Sequence, residues 1–276
     1  MKLTNVKSMI LRNKVDLNGA SVSDGVALER WQRLENAGDY ISSVIFDWML
    51  SRKNLEARNG KNVHLFAVGS ILGFSKADGT IWGSGILDAY NARNIIRRKY
   101  YIKYDVRALR GPLTKSIMIA AGYKCGRVAL GDPGILLPLI YKKEEHKKKY
   151  KYCIINHYVN ADKNIDDNDD TVTISAGTND YKWVIDRICE AEIVISSSLH
   201  GIILAEAYGV PSVWLLENME DRTMKYYDYY YSTGRYNIPV ARDVQEAKKM
   251  EPIVLPQNLE FMQKCLIDAF PYDLWN

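Results

Sequence analysis

The sequence lacks the short motifs that mark many nucleotide-binding enzymes. No Gly-x-Gly-x-x-Gly follows the first expected strand, and neither Gly-Lys-Ser nor Gly-Lys-Thr occurs. A dinucleotide fingerprint and a P-loop are therefore disfavoured. Cysteine is also scarce: the four residues stand far apart, and no two form a Cys-x-x-Cys pair. This spacing is typical of reduced thiols that fill cores, and it disfavours disulfides or a zinc site.

Long apolar runs are missing too. No stretch approaches the roughly 18 apolar residues of a membrane span, and residues 1–7 lack the apolar block of a signal peptide. We therefore expect a cytoplasmic protein. Its 276 residues, 47% hydrophobic and 25% charged, indicate a globular chain with two modest domains or one large one.

Positive charge is low overall but unevenly placed. The net charge of +4 is too small to indicate a nucleic-acid partner. Residues 142–151 contain six lysines, which favour a solvated connector between domains or, as an alternative, a contact with anionic lipid headgroups. A second basic cluster precedes a Gly-Pro helix start, where an anionic ligand could be held. It consists of Arg97, Arg98, Lys99, Lys103, Arg107 and Arg110.

Strand and helix patterns alternate along the chain, which predicts an α/β fold with parallel strands. The predicted strands are 6–11, 63–68, 80–82, 100–106, 127–130, 151–156, 171–175, 193–195 and 212–216. The predicted helices are 40–50, 112–121, 183–191 and 200–208. The simplest arrangement is two Rossmann-like domains that face a cleft, one over residues 1–142 and one over 151–276. We expect the final apolar segment, 259–275, to pack back across the halves.

The most informative segment joins strand 193–195 to helix 200–208 through three serines, 196–198. Backbone N–H groups at such a helix start are unpaired and point into the crevice above the sheet, which predicts an anion site. His200 lies at that helix start and can carry a proton near neutral pH. A capped or structural histidine is the alternative interpretation.

Several glycine-containing strand ends fall on the same side of the predicted sheet. They are Gly69-Ser70, Gly83-Ser84-Gly85 and, before the first helix, Asn36-Ala37-Gly38-Asp39. The carboxyl ends of parallel strands carry the ligand crevice, and glycine lets backbone approach a ligand closely.

Eight motifs, in order from about residue 36 to residue 236, together resemble the polysaccharide pyruvyl transferase family. The motifs are Asn36-x-Gly38-Asp39, Gly69-Ser70-Ile71-Leu72, Trp82-Gly83-Ser84-Gly85, 106–112, Leu130-Gly131-Asp132-Pro133, Asn156-His157-Tyr158, Ser197-x-x-His200-Gly201 with Gly209-Val210-Pro211, and Asp228-Tyr229-Tyr230. The resemblance implies a glycosyltransferase-B-like fold. It also implies transfer of the pyruvyl group of phosphoenolpyruvate onto two hydroxyls of a sugar, forming a cyclic ketal and releasing phosphate.

The resemblance assigns roles to residues on the donor side. His200 is expected to transfer a proton and Arg110 to grip an anionic group of phosphoenolpyruvate, with Arg107 as the near alternative. For either arginine, a surface ion pair is the competing interpretation. Further donor-binding candidates are His157, Ser196, Ser197, Ser198, Leu199 and Gly201. Other family members carry arginine where this chain has Ser198, so helix N–H groups, the serines, His157 or Lys225 must hold the second anionic group of the donor.

The acceptor is expected against the strand ends of the first half. Candidate acceptor-binding residues are Asn36, Gly38, Asp39, Ser84 and Tyr229. The tyrosine-rich stretch 226–231 has an alternative role as an aromatic packing seam, and Asp132 is expected to shape a turn.

The expected partners are phosphoenolpyruvate as donor substrate and a sugar or oligosaccharide acceptor linked to polyprenyl diphosphate. Peripheral association with the inner face of the cytoplasmic membrane is compatible with such an acceptor. We predict no cofactor and no metal. The oligomeric state stays open.

Two other functions remain open at this point. A sugar-nucleotide glycosyltransferase of the same architecture would need a ribose-binding carboxylate, for which Glu206 is the candidate. A non-catalytic carbohydrate-binding scaffold would keep the cleft without needing both His200 and Arg110, so their joint presence disfavours it.

Overall fold

The computed structural model describes residues 24–32, 34–143, 147–157, 167–216 and 221–276. The predicted strand 6–11 lies outside these residues, as do Tyr158 of the Asn156-His157-Tyr158 motif and part of the lysine-rich segment. The described chain is an α/β fold built on two five-stranded parallel sheets.

The first sheet has the strand order β1-β2-β3-β4-β5, and every neighbouring pair is parallel. Its strands are β1 Val26–Glu29, β2 Val63–Phe66, β3 Gly79–Trp82, β4 Tyr104–Leu109 and β5 Ala129–Leu130. The helices of this part are α1 Ala37–Ser51, α2 Ala89–Arg98, α3 Pro112–Ala120 and α4 Leu137–Ile140, with 3-10 turns at Ala57–Asn59 and Pro133–Leu136.

The second sheet has the order β10-β9-β8-β6-β7 and is also parallel. Its strands are β6 Tyr150–Asn156, β7 Thr171–Ser175, β8 Ala191–Ser196, β9 Ser212–Leu215 and β10 Val240–Ala241. The helices are α5 Tyr181–Cys189, α6 Leu199–Ala207, α7 Met224–Ser232, α8 Val244–Ala247 and α9 Leu259–Asp268, with 3-10 turns at Asp221–Thr223 and Tyr272–Trp275.

The second sheet reverses its winding direction between β6 and β8. The chain leaves β6 for β7 on one side and returns to β8 on the other. In open parallel sheets, ligands bind outside the carboxyl ends of the two strands that flank such a reversal. Here those ends are followed by His157 and by the serines 196–198.

Helix α6 lies between the two sheets. It contacts α1 and the Pro133–Leu136 turn on the first-sheet side, and β8 and β9 on the other. Ile202, Ile203 and Leu204 are all buried, so this helix is apolar on every side, which is typical of a helix enclosed in a core. The start of α6 is therefore held rigidly at the contact between the sheets.

The C-terminal segment packs on the first sheet. Trp82 donates its Nε1–H to the Leu266 carbonyl at 2.8 Å, and the Phe270 ring meets Trp82 edge-on with ring centres 4.8 Å apart. Burying Phe270 contributes roughly 1.5–3 kcal/mol. The Tyr272 hydroxyl donates to the Met49 carbonyl at 2.8 Å, so residues 259–275 tie the end of the chain to α1 and β3.

Several elements differ from the sequence-based prediction: strands β1 and β10 were not predicted, and two further differences have a clear physical reason. The predicted strand 100–106 begins only at Tyr104, because Tyr100 and Tyr101 are 91% and 84% exposed in a turn. Helix α2 was not predicted. Its inward face carries Asn91 and Asn94 beside Ile95, so the apolar spacing that signals a buried helix face is absent.

Candidate active site

The serine turn after β8 is built by its own hydroxyls. Ser196 Oγ accepts the Ser198 N–H at 3.0 Å, and Ser197 Oγ accepts the His157 N–H at 3.0 Å. The Tyr226 hydroxyl donates to the Ser197 carbonyl at 2.7 Å. Ser196 and Ser197 therefore fix the backbone rather than face a ligand, and they join the ends of β6 and β8.

Ser198 is the N-cap of α6, but its side chain makes no capping hydrogen bond. By helix geometry, the N–H groups of Leu199, His200 and Gly201 have no acceptor within the helix. The positive end of the helix dipole adds to them. This helix start therefore has the geometry of an anion site built from backbone, and anion binding there stays a prediction.

His200 and Asp132 face each other without a hydrogen bond. The His200 Nε2 lies 3.8 Å from the Asp132 Oδ2, and these side chains are 13% and 1% exposed. Neither atom has a hydrogen-bond partner among the described residues. Buried polar atoms are nearly always paired, so two unpaired atoms at one place indicate a site that takes a ligand or a proton. Asp132 also shapes the predicted turn, since its Oδ1 accepts the Gly134 N–H at 2.9 Å.

The start of α1 packs directly on the imidazole of His200. A Cβ on Gly38 would overlap the His200 ring, so only glycine fits there. Asn36 caps α1 by accepting the Gly38 N–H at 2.9 Å. Gly38 thus acts as a positioning residue for His200, and the first half supplies one wall of the site.

Asp39 and Lys225 complete the polar surface of the cleft. Burial raises the pKa of Asp39 to about 7, although Lys225 and Arg30 oppose the rise. Burial and the neighbouring Arg110 and Arg222 lower the pKa of Lys225 to about 8, while Asp39 raises it. Their mutual electrostatic influence places the carboxylate and the ammonium group near each other.

Both histidines of the site are held neutral. Burial, followed by the charges of Lys225 and Arg110, lowers the pKa of His200 to about 3. Burial, Lys225, Arg222 and His200 lower that of His157 to about 3. Burial raises the pKa of Asp132 to about 6. We call Asp39, Asp132, His157, His200 and Lys225 the cleft cluster.

Arg110 lies beside the cleft cluster but is fully buried. Its Nε–H donates to the Asp228 Oδ2 at 3.1 Å, Nη1 donates to the Ser70 Oγ at 2.5 Å, and Nη2 donates to the Ile86 carbonyl at 2.7 Å. Nη2 also lies 3.1 Å from the same Asp228 oxygen, so the anionic partner of Arg110 is Asp228, not a free anion. In this structure the arginine acts on the cleft through its charge and not as an open donor-binding group.

Asp228 also caps α3 from a distance. Its Oδ1 accepts the N–H groups of Leu113 and Thr114 at 2.9 and 3.0 Å, and its Oδ2 accepts the Thr114 hydroxyl at 2.6 Å. We call Ser70, Arg110, Thr114 and Asp228 the paired cluster.

Arg107 forms a surface ion pair, which was the alternative interpretation left open by the sequence. It donates to Asp273 at 2.7 and 3.0 Å and to Asp105 at 2.7 Å. Both carboxylates occupy the guanidinium at the outer surface, which does not favour Arg107 as the alternative donor ligand.

Two acceptor-binding candidates are also buried away from the cleft. Ser84 is fully buried and donates to the Gly69 carbonyl at 2.8 Å. Tyr229 is fully buried and donates to Glu206 Oε2 at 2.7 Å. The aromatic seam was the correct alternative, with Trp214 stacked on Tyr226 at 4.4 Å between ring centres.

Glu206 does not provide a ribose-binding carboxylate. It is 1% exposed, and Arg235 donates to both of its oxygens at 2.7 Å. A carboxylate saturated in this way has no free acceptor for a sugar, which argues against the glycosyltransferase alternative.

Two members of the cleft cluster were not predicted to be central to the site. Lys225 was only one of several possible cations, and Asp132 was assigned to a turn. No spacing rule marks either residue, because each reaches His200 through tertiary packing.

Metal binding has no candidate group in the part of the chain that the structure describes, since no three His, Cys, Asp or Glu side chains cluster there suitably. The absence of a required metal stays a prediction. No helix of the described residues is long and apolar enough to span a bilayer.

The fold and the site together define an α/β protein with a polar cleft where two parallel sheets meet. Comparison with known families agrees: the model of the family "Polysaccharide pyruvyl transferase" matches residues 31–218, more than half of the chain. This chain belongs to the polysaccharide pyruvyl transferase family and is an enzyme of that family. The resemblance inferred from the eight motifs is confirmed.

Individual relatives show the range of the similarity. An uncharacterised protein of Acanthamoeba polyphaga mimivirus is 30% identical over 213 residues, which cover 70% of this chain and 69% of that protein. The succinoglycan biosynthesis protein ExoV of Rhizobium meliloti (strain 1021) is 25% identical over 138 residues, 48% of this chain and 42% of ExoV. The family match and the similarity to ExoV support a pyruvyltransferase role in polysaccharide biosynthesis.

A solved structure shows the same fold. The crystal structure of a functionally uncharacterised protein from Klebsiella pneumoniae subsp. pneumoniae NTUH-K2044 superimposes with a TM-score of 0.51 and 15% identity. The match covers 87% of this chain and 99% of that one.

Proposed function

We propose that this enzyme transfers the pyruvyl group of phosphoenolpyruvate onto two hydroxyls of a sugar in an exopolysaccharide or capsular repeat unit. The observation that carries the proposal is the unpaired His200 at the start of α6, facing Asp132 inside a cleft that also holds Asp39 and Lys225. Family membership supplies the reaction class.

The proposed architecture is glycosyltransferase-B-like, with one Rossmann-like domain on each side of the cleft. The half over 1–142 would hold the acceptor, and the half over 151–276 would hold the donor. Two parallel sheets that meet at the start of α6 support this division.

Donor binding combines backbone N–H groups and one cationic side chain. The N–H groups that open α6 receive the phosphate, as helix starts commonly do. Ser198 replaces a family arginine and carries no charge. The Lys225 ammonium supplies the missing cation, and an arriving dianion raises its pKa above about 8 and keeps it protonated.

The chemistry needs one proton delivered and two removed. Protonation of C3 makes the methyl group and leaves an oxocarbenium-like C2, which the first sugar hydroxyl attacks. The C2–O bond to phosphate then breaks, and the second hydroxyl closes the ketal. Of the two hydroxyl protons, one balances the proton placed on C3 and one leaves with phosphate.

Asp39 and His200 suit these proton transfers. With a pKa of about 7, Asp39 is partly protonated at neutral pH and can donate. His200 is neutral and can accept the hydroxyl proton at Nε2, and Asp132 stabilises the imidazolium that results. Asp39 thus gains a role in proton transfer beyond the predicted acceptor contact.

The acceptor is proposed to be lipid-linked, which would place the enzyme at the cytoplasmic face of the membrane. No observation favours a second function, because the carboxylate that a nucleotide sugar would need is paired with Arg235.

Thermal unfolding with phosphoenolpyruvate, in parallel with a panel of nucleotide sugars, tests the donor. A ligand at 100 times its dissociation constant adds about 2.7 kcal/mol, which should raise the midpoint by roughly 5–10 °C. Lys225→Met should abolish the shift. Lys264→Met, an exposed lysine on α9, should preserve it.

The reaction itself is checked by mass spectrometry of sugar acceptors after incubation, looking for the gain of one pyruvate less one water together with phosphate release. A midpoint shift with a nucleotide sugar alone would refute the proposal.

A further inference from the structure

Charge is concentrated in one stretch of this chain. Residues 89–131 contain ten Lys and Arg residues and a single acidic residue, Asp105, whereas the whole chain has a net charge of only +4. Two of these ten, Arg107 and Arg110, pair with carboxylates, and Arg98 donates to the carbonyls of 73–75.

The other seven cations form no ion pair in the part of the chain that is described. We call them the basic edge: Arg93, Arg97, Lys99, Lys103, Lys115, Lys124 and Arg127. Helices α2 and α3 run antiparallel to the strands of the first sheet. Both helices therefore end at the edge of this sheet where strands β3 and β4 begin. The cleft lies at the opposite edge, across the six residues of β4 or about 20 Å.

Apolar side chains project from the same edge. Tyr100 and Tyr101, in the turn after α2, are 91% and 84% exposed, and Ile96 one turn earlier is 48% exposed. Ile119, near the end of the neighbouring α3, is 53% exposed. This surface therefore exposes two adjacent tyrosines and two isoleucines among seven cations. Such a grouping of exposed apolar side chains is unusual and indicates an interaction site.

An open pocket of about 630 Å³ lies beneath the turn. Lys99, Lys103 and Lys124 line it together with the ring of Tyr123 and two carboxylates, Asp78 and Asp105, so the lysines outnumber the acidic residues by one. The Lys99 ammonium lies 4.3 Å from the centre of that ring, so the pocket wall pairs a cation with an aromatic face.

We propose that the basic edge and its tyrosines form a docking surface for an anionic lipid bilayer, with a headgroup phosphate entering the lysine-lined pocket. Tyrosine rings settle at the headgroup level, and nearby Lys and Arg residues bind the negative surface of the leaflet. The exposed isoleucines favour a bilayer over a nucleic acid, because aliphatic side chains gain by entering the acyl boundary but have no partner on a phosphate backbone.

The lysine-rich segment around residue 147 fits a bilayer less well. Lys143 pairs with Asp186 at 2.8 Å, Lys149 pairs with Glu190 at 2.5 Å, and Lys148 donates to the Cys189 carbonyl at 2.9 Å. Two of the six lysines are thus paired with carboxylates and a third with a carbonyl, whereas the seven cations of the basic edge form no ion pair among the described residues, so the basic edge is the stronger membrane surface.

Vesicle co-sedimentation of the full chain tests the proposal. We expect binding to vesicles of phosphatidylcholine with phosphatidylglycerol and little binding to phosphatidylcholine alone. Arg97→Gln with Lys103→Gln should weaken partitioning roughly 25-fold, since each cation near such a surface is worth about five-fold. Tyr100→Ser with Tyr101→Ser should weaken it about ten-fold, with little dependence on salt.

Matched controls keep the outcome clear. Lys147→Gln with Lys151→Gln removes the same charge from the other lysine-rich segment, and Tyr236→Ser removes a tyrosine that is 71% exposed. Both should bind vesicles like the parent. The four residues changed in the test variants are all exposed: Arg97, Tyr100, Tyr101 and Lys103. An unchanged midpoint of thermal unfolding will show that these variants fold.

Equal binding to neutral and anionic vesicles would overturn the proposal, as would equal loss in the control variants. Binding of duplex DNA without binding of vesicles would assign the surface to nucleic acid instead. None of these readouts uses pyruvyl transfer, so failure here leaves the proposed function standing.

Discussion

Two buried polar clusters lie side by side between the sheets, and they differ in how far their hydrogen bonds are satisfied. In the paired cluster, Asp228 accepts four hydrogen bonds from Arg110, Leu113 and Thr114. In the cleft cluster, His200 Nε2 and Asp132 Oδ2 face each other at 3.8 Å with no hydrogen-bond partner among the described residues. The paired cluster resembles a structural network, whereas the cleft cluster resembles a binding site in which the facing atoms of His200 and Asp132 can contact a substrate.

The difference teaches how to assign roles to charged residues in a cleft. A saturated guanidinium has few donors left for a ligand, whereas an unsaturated imidazole has lost solvation without compensation. Variants of the two clusters should therefore fail in opposite ways. Those of the paired cluster should lose stability, and those of the cleft cluster should lose activity.

The largest effect is expected for His200→Gln. Loss of proton transfer should reduce kcat/KM by 10²–10⁴-fold, while the free energy of unfolding at pH 7 changes little because Nε2 makes no hydrogen bond. Steady-state kinetics and urea unfolding of the same preparation measure both. As a control, His64→Gln breaks the pair with Glu29 within the first sheet and should lower stability without loss of turnover.

Asp228→Ala should show the reverse pattern. Removing one partner of a buried ion pair leaves Arg110 unpaired and should cost about 3–5 kcal/mol of stability. Asp180→Ala removes a more exposed aspartate that caps α5 and should cost only about 1 kcal/mol. Similar midpoints in denaturant for these variants would contradict the structural role of the paired cluster.

Gly38→Ala should damage the site without touching its charges. The new Cβ overlaps the imidazole of His200 and displaces it, which should lower kcat by roughly 10²-fold. Gly126→Ala is the matched control, because nothing lies within 4 Å of its added Cβ. Unchanged kinetics in Gly38→Ala would place His200 outside the reaction.

The pH dependence of kcat/KM for phosphoenolpyruvate should report Lys225. Its pKa is lowered to about 8, so the positive charge is present below pH 8 and is lost as pH rises through that value. We expect kcat/KM to fall about tenfold per pH unit above it. Lys225→Arg keeps its charge and should remove this alkaline limb; an unchanged limb would assign it to another group.

The smallest effect is expected for Arg107→Ala. The pair with Asp273 is largely exposed, so its loss should cost at most about 1 kcal/mol. The KM for phosphoenolpyruvate should not change. A large rise in KM would restore Arg107 as a donor ligand and weaken the distinction drawn from the two clusters.

Local pattern predicted most of the elements. Apolar strands followed by glycine or serine predicted β2, β3 and β8 within a few residues, and the apolar run 151–156 predicted β6, because buried parallel strands are near-continuous apolar runs. Helix α2 was not predicted because its buried face is partly formed by asparagine amides. The start of β4 was predicted too early in the sequence, because Tyr100 and Tyr101 have strand propensity but lie in a turn.

The site was predicted in its place but not in its contacts. The serine turn and His200 are one local unit of strand, cap and helix, and such units are readable from sequence. Arg110 and Asp228 are 118 positions apart. No periodicity reveals that they pair, so Arg110 was assigned a free guanidinium that it does not have.

The sequence by itself determined most of the alternation of strands and helices, the helix start that follows the serine turn, and the family. The tertiary structure decided which cationic side chains form ion pairs with carboxylates and which side chains face His200. Local rules act over one turn or one strand, whereas the protonation and pairing of a buried charge depend on every group that folding brings within a few ångströms.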